Sequence, residues 1–220
     1  MRRHPVVTID GPAGAGKSSV ARRLAQRLGY RFVPSGAIYR ALAWRVAAGV
    51  PVEEALARTT VELRGSPEDQ RVLVNGEDVT EHLRAPRMSG LTSALSRNAE
   101  VRAFADALQR RLASDGPVVV EGRDAGTVVF PDAECKFYLD ASLEVRAARR
   151  QADRRARGET PDLAAVREAL AGRDLADESR AMAPLARSVD AIYVDSSGMT
   201  IDEVIELMAK EVERACSTGS

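Results

Sequence analysis

Apolar and polar positions along the 220 residues alternate between two periods. Val6 to Ile9 is a short β-prone run suited to a buried parallel strand. From Ser19 to Leu28 the apolar positions Val20, Leu24 and Leu28 recur every four residues, the spacing of an amphipathic helix. Tyr30 to Val33 reads as a second strand ended by Pro34, and Ser35 is placed to cap a helix to about Ala48 with Ile38, Leu42 and Val46 on one face. Pro51 opens a short helix ending near Ala57. Thr60–Leu63, Gln70–Val74 and Glu77–Val79 then read as short strands, the last two joined by Asn75-Gly76, a type I′ hairpin signal. Pro86 to Ser96 reads as mostly helix, and Ala99 to Ser114 carries Val101, Phe104, Ala105, Leu108 and Leu112 at helical spacing. Val118–Val120 and Lys136–Leu139 are further strands. Ser142 begins an arginine-rich helix, broken at Gly158 to Pro161, and a polar helix runs on to about Glu178. Ala191–Val194 is the last strand, and Thr200-Ile201-Asp202-Glu203 is a capping box opening a final amphipathic helix.

This alternation predicts an α/β fold: a five-stranded parallel sheet with helices on both faces and a small β-containing insertion at about residues 60–84. Ligands of such sheets sit at the carboxyl ends of the strands. Gly11–Ser18, Ser35–Arg40 and Glu121–Asp124 all fall there.

Gly11-Pro12-Ala13-Gly14-Ala15-Gly16-Lys17-Ser18 fits G-x-x-x-x-G-K-S/T, and it stands between a strand and a helix, the context a P-loop requires. Its glycines let backbone N–H groups approach an anion, and the following helix start adds donors and partial positive charge. Lys17 is placed to reach the β- and γ-phosphates of a nucleoside triphosphate, and the Ser18 hydroxyl to ligate magnesium.

Composition narrows the users of such a loop. Lys+Arg and Asp+Glu are both 32 and aromatics make up 4%, so neither a basic footprint nor stacking platforms point to a nucleic-acid motor or a membrane surface. A GTPase would need Asn-Lys-x-Asp, yet the only asparagines are Asn75 and Asn98, neither followed by lysine. Asp195-Ser196-Ser197-Gly198 matches D-x-x-G, but after the last strand, where it reads as a turn. Lysine occurs only at 17, 136 and 210, so nearly all basic side chains are arginine, the residue that grips phosphate bidentately. Arg146, Arg149, Arg150, Arg154 and Arg157 share one helix face, with Arg173 and Arg180 in the next stretch. As a group ending at a Gly-Glu-Thr-Pro break, they read as a phosphate clamp on a lid over about 149–180. Taken singly, each reads equally as a solvated arginine paired with Glu144, Asp153 or Asp177.

Cys135 and Cys216 match no metal or redox spacing and are expected to be reduced thiols. The apolar run after Met1-Arg2-Arg3 is cut by Asp10 too early for a signal peptide, so the expectation is a cytoplasmic protein; a monomer is expected as well.

Thr8-Ile9-Asp10-Gly11-Pro12, Ser35-Gly36-Ala37-Ile38-Tyr39-Arg40, Gly122-Arg123-Asp124 with Gly126 to Ala133, Arg180 to Leu185 and the hairpin Asn75 to Val79 together resemble the bacterial cytidylate kinases over nearly the whole chain. That resemblance implies a nucleoside monophosphate kinase fold with an NMP-binding insertion and a mobile lid. It also implies magnesium-dependent transfer from ATP to CMP and dCMP. It makes Lys17, Arg123, Arg149 and Arg180 the catalytic candidates and gives ATP to Gly11 through Ser19 with Arg150 and Arg154. CMP falls to Ser35, Tyr39, Arg40, Ser93, Arg102, Arg123, Asp124, Arg173, Asp177 and Arg180. Within that set Asp124 and Arg102 read the cytosine edge with help from Ser93, Arg40 and Arg123 grip the phosphate, and Asp177 meets a sugar hydroxyl. Two positions depart from the pattern. Glu121 stands where many relatives carry Asp and is a candidate to hold magnesium through water, and Ser19 follows Ser18 where others have Thr after a Gly-Lys-Gly loop. A kinase for another nucleoside monophosphate or a small alcohol, and a nucleotide-binding regulator without turnover, are the alternatives.

Overall fold

The computed structural model describes residues 4–83, 85 and 88–217. Met1-Arg2-Arg3, Arg84 at the end of the expected insertion and Pro86 at the start of an expected helix lie outside them. In chain order, β1 (Val6–Asp10), α1 (Lys17–Leu28), β2 (Arg31–Pro34), α2 (Ser35–Ala47) and α3 (Val52–Arg58) lead to three short strands. These are β3 (Val61–Arg64), β4 (Arg71–Val74) and β5 (Glu77–Asp78). Then come α4 (Thr80–Leu83), α5 (Met88–Leu95), α6 (Ala99–Ala113) and β6 (Val118–Glu121), followed by a π-helical turn over Ala125–Val129. The chain continues through β7 (Cys135–Asp140), α7 (Leu143–Arg155), α8 (Leu163–Glu178), β8 (Ile192–Asp195) and α9 (Ile201–Ser217).

The main sheet has the order β2-β6-β1-β7-β8, parallel throughout, with Val6 opposite Val118 and Val7 opposite Cys135. β1 is buried at every position because both of its faces are covered. The pleat divides its side chains: Val6 joins Val33, Val118 and Val120 under α2 and α6, while Val7 and Ile9 join Val119 and Phe137 under α1 and α9. The predicted five-stranded doubly covered sheet is therefore present.

β3, β4 and β5 form an antiparallel sheet in the span read as an insertion. Its turn has positive φ at both central residues, 51° at Asn75 and 85° at Gly76, as a type I′ turn requires. The small sheet has no core of its own. Val61, Val72, Val74, Val79 and Leu83 pack into the same cluster as Ile38 and Leu42.

Ser35 does not cap α2 as predicted. Strand β2 runs straight into the helix, Pro34 takes the cap position, and Ser35 is its first helical residue. The capping box before α9 forms, with Thr200 N–H on Glu203 Oε2 at 2.8 Å and Glu203 N–H on Thr200 Oγ1 at 3.3 Å. Asn98, unremarked in the sequence pattern, caps α6 through the N–H groups of Glu100 and Val101.

Candidate functional site

A cleft of about 990 Å³ opens at the carboxyl ends of β1, β2 and β6 and is roofed by α7 and α8. Its floor is the glycine loop. Gly11 has φ 147°, and a Cβ there would lie 2.0 Å from the Leu139 carbonyl oxygen, so only glycine lets β1 turn under β7. The chain then passes Ala13, Gly14, Ala15 and Gly16, which line the cleft, into Lys17, Ser18 and Ser19 of the first turn of α1. Gly11 and Pro12 alone among the predicted site residues stay out of the cleft lining. Pro12 contributes through its carbonyl, which accepts the Lys17 Nζ hydrogen bond at 2.6 Å. Burial, reinforced by Arg123, holds the Lys17 ammonium well below the usual lysine range.

The far wall carries a second group of predicted residues. Arg102 of α6 is buried and paired with Asp124, and Ser93 of α5 lines the same region with Tyr39. Burial pushes the Asp124 carboxyl up, against the pull of Arg102. Ser35, freed from capping, stands beside Gly122, where a Cβ would come within 3.0 Å of its Oγ. A carboxylate and a guanidinium meeting in a low-dielectric wall form a complementary acceptor and donor for the edge of a planar base.

Between floor and wall lies an arginine crowd. Arg40, Arg123, Arg150, Arg154, Arg173 and Arg180 all line the cleft. Arg123 Nε donates to Asp177 Oδ2 at 3.0 Å, Arg180 holds Asp177 Oδ1, and Arg173 Nε lies 4.0 Å from Oδ2. Asp177, only 1% exposed, is thus surrounded by three guanidiniums. Arg173, pressed by burial and by Arg123, is pushed down to about 10, and Arg40 is lowered for the same reasons. Three of these guanidiniums share the one Asp177 carboxylate and Arg154 pairs with Glu159 at 2.7 Å, yet cations still outnumber carboxylates around the space, which suits a highly charged anion.

The arginines of α7 divide. Arg150 and Arg154 line the cleft, and Arg149 does so while donating to Ser196 Oγ at 3.0 Å and Ser196 O at 2.7 Å. Arg157 also lines it, but from beyond the helix, which ends at Arg155 and not past Arg157 as the spacing predicts. Arg146, grouped with them by periodicity, faces the core instead. It pairs with Asp174 of α8 and donates to Ala13 O at 3.0 Å and Ala141 O at 2.9 Å, while Asp174 Oδ1 accepts the Ala13 N–H at 3.0 Å. Glu144 pairs with Arg167 instead of an arginine of its own helix face. Ser196, Met199, Ile201 and Val204, none of them a predicted site residue, also line the cleft beyond β8. Their position at the carboxyl end of a strand was the available signal.

For a divalent cation, the donors at hand are the Ser18 hydroxyl and the buried Glu121 carboxylate, which line one cleft. Hard oxygens of this kind suit magnesium, which keeps most of its shell as water and phosphate. Among the described residues no group of three or more His, Cys, Asp or Glu side chains forms a protein-only metal cage. The residues fit a metal that arrives with a phosphate. Among those residues, too, no helix is long and apolar enough to cross a membrane. Both cysteines are free thiols.

The sequence model described as cytidylate kinase matches residues 7–214. A cytidylate kinase of Geobacillus kaustophilus (strain HTA426) is 45% identical over 94% of this chain and 95% of its own length. One from Geobacter sulfurreducens is 44% identical over 97% and 96%. A shikimate kinase from Acinetobacter baumannii, solved in complex with shikimate, shares the fold at a TM-score of 0.50 and 15% identity, over 97% of this chain and 95% of its own. With its phosphate loop, arginine-lined cleft and full-length likeness to these relatives, the chain belongs to the cytidylate kinase family.

Proposed function

We propose that the chain transfers the γ-phosphoryl group of ATP directly to the phosphate of CMP or dCMP, giving ADP and CDP or dCDP, without a covalent enzyme intermediate. The observation that carries this reading is the meeting, in one cleft, of the phosphate loop around Lys17 with the Arg102–Asp124 pair.

Phosphoryl transfer asks a protein for alignment and charge neutralisation. The loop N–H groups and Lys17 hold the ATP phosphates, and the incoming anion offsets the cost of keeping the Lys17 charge buried. Arg150 and Arg154 reach the triphosphate from α7, with Arg149 held by Ser196 at the edge of the same space. Arg40 and Arg123 grip the CMP phosphate, with Ser35 and Tyr39 lining its pocket. Arg173 and Arg180, aligned by Asp177, face the path between donor and acceptor. Asp177 retains lone pairs for a sugar hydroxyl. Ser18, with Glu121 acting through water, would hold magnesium, which would supply neutralisation of phosphate charge.

Base choice follows from the wall. Cytosine offers a 4-amino donor beside the N3 and O2 acceptors, so Asp124 accepts from it while Arg102, helped by Ser93, donates. Uracil presents a carbonyl to the same carboxylate and is repelled. On this reading the span 60–84 is the NMP-binding insertion, 149–180 is the lid, and the protein acts as a monomer. A coupled ADP-release assay with CMP, dCMP, UMP, AMP, GMP and shikimate tests it. CMP and dCMP are expected to support turnover. Activity on AMP or shikimate without CMP, or no turnover at all, refutes the reading.

A further inference from the structure

Asp10, the last residue of β1, is buried, and none of the steps above uses its side chain. Its Oδ1 accepts the Ala125 N–H at 2.9 Å and its Oδ2 the Gly126 N–H at 2.7 Å. These are the first two N–H groups of the π-helical turn, donors that a helix start leaves without partners. An aspartate at the entry to such a turn ordinarily caps it with its own carboxylate. Asp124 occupies the entry position here, with φ −145° and ψ 19°, yet makes no such bond, and its carboxylate goes to Arg102. The capping task is performed from a strand more than a hundred residues earlier.

The surroundings leave room for this arrangement. A Cβ on Gly126 would lie 2.7 Å from Thr8 Oγ1 and 3.3 Å from Asp10 Oδ2, and one on Gly122 would lie 3.3 Å from Asp10 Oδ1. The opposite end of the turn is held by Arg110, whose Nε donates to Val129 O at 3.1 Å and whose Nη2 donates to Val128 O at 3.3 Å. Arg110 belongs to α6, the helix that also carries Arg102. Both members of the base-reading pair are therefore referenced to the same turn, from its two ends. Burial, with Asp124 adding and the turn N–H groups and Lys17 opposing, raises the Asp10 carboxyl to about 6. A carboxylate kept ionised there at neutral pH weighs against stability, which argues that it is retained for geometry.

We propose that Asp10 is a positioning residue for base selection: by capping the turn at Ala125 and Gly126 it leaves the Asp124 carboxylate free to stand opposite Arg102 and read the acceptor base. This rests on the cytidylate kinase reading. The test compares wild type, Asp10→Asn and Arg110→Met in steady-state kinetics with CMP, UMP and ATP, alongside thermal melting. Asp10→Asn is expected to raise KM for CMP about tenfold and to lower CMP-over-UMP discrimination, with KM for ATP held within about twofold. Its melting temperature is expected to hold within about 3 °C of wild type. Arg110→Met disturbs the other end of the turn from a more exposed position and is expected to move KM for CMP in the same direction. Unchanged CMP KM and discrimination in Asp10→Asn, or in Arg110→Met should Asp10→Asn fail to fold, overturn the proposal. So does an equal loss toward both substrates. Absent CMP turnover in wild type refutes the kinase reading itself, a result distinct from either.

Discussion

Replacing Asp174 with alanine removes the carboxylate that ties α8 to the phosphate loop. Asp174 accepts the Ala13 N–H at 3.0 Å and pairs with Arg146, whose guanidinium also donates to the Ala13 and Ala141 carbonyls. The paired side chains are 9% and 11% exposed, so water cannot replace the lost partner readily. Removing one member of a buried pair typically costs about 3–5 kcal/mol, because the remaining charge is left uncompensated. For a chain of this size that corresponds to a fall in melting temperature of roughly 6–20 °C. Urea denaturation with the same variant gives the free energy directly, through the shift in midpoint at constant slope. The double variant Arg146→Leu/Asp174→Leu, which removes both charges, is expected to lose less than Asp174→Ala alone, and with the single variants Arg146→Leu and Asp174→Leu it closes a double-mutant cycle that isolates the coupling. Because Ala13 is unmoored, KM for ATP is expected to rise about tenfold while KM for CMP changes little. A loss below roughly 1 kcal/mol, with the double variant no better than the single one, would refute the argument that this pair fixes the loop.

Lys17→Ala should lower turnover on the order of 10²–10³-fold with CMP and UMP alike, without loss of stability, since a buried cation is removed; near-normal turnover would exclude Lys17 from the transfer step. Asp124→Asn presents an N–H to a uracil carbonyl and should reduce CMP-over-UMP selectivity on the order of 10²-fold, and unchanged selectivity removes Asp124 from base reading. Asp10 gives a pH signature of definite sign. Its carboxyl is raised from 3.8 to about 6 in the folded protein, so its stabilising contribution is full below the unfolded value and is lost as pH rises through about 6. Relative to Asp10→Asn, wild type should therefore lose on the order of 2–3 kcal/mol between about pH 3 and pH 7, measured by denaturant titration at each pH. A pH-independent difference between the two proteins would contradict this linkage.

The Asn75-Gly76 turn and the Thr200–Glu203 box are legible because their partners lie within a few residues. The phosphate loop with its strand and helix is legible through its glycine spacing and apolar period, although β1 pairs with β6 and β7 more than a hundred residues on. The π-helical turn gave no such signal. Ala-Gly-Thr-Val-Val has no period, and the groups that hold it, Asp10 and Arg110, come from β1 and α6. Likewise, Arg146 is indistinguishable by spacing from Arg150 and Arg154. Its inward direction is decided by Asp174 on a neighbouring helix. Ser35 showed the opposite failure, a strong local cap signal overridden because β2 enters α2 without a loop.

The way the apolar clusters are divided sets which parts of the cleft can move. The small antiparallel sheet shares its interior with α2 and β6, so swinging it outward would strip side chains from the main core. The α7–α8 hairpin rests on a separate patch made of Ala13, Ala147, Val166 and Leu170, with Leu143 at its margin. Lifting that hairpin uncovers few apolar side chains but breaks the Asp174–Ala13, Arg146–Ala141 and Arg149–Ser196 hydrogen bonds, so a motion of the roof must exchange polar bonds, whereas a motion of the small sheet must open the core.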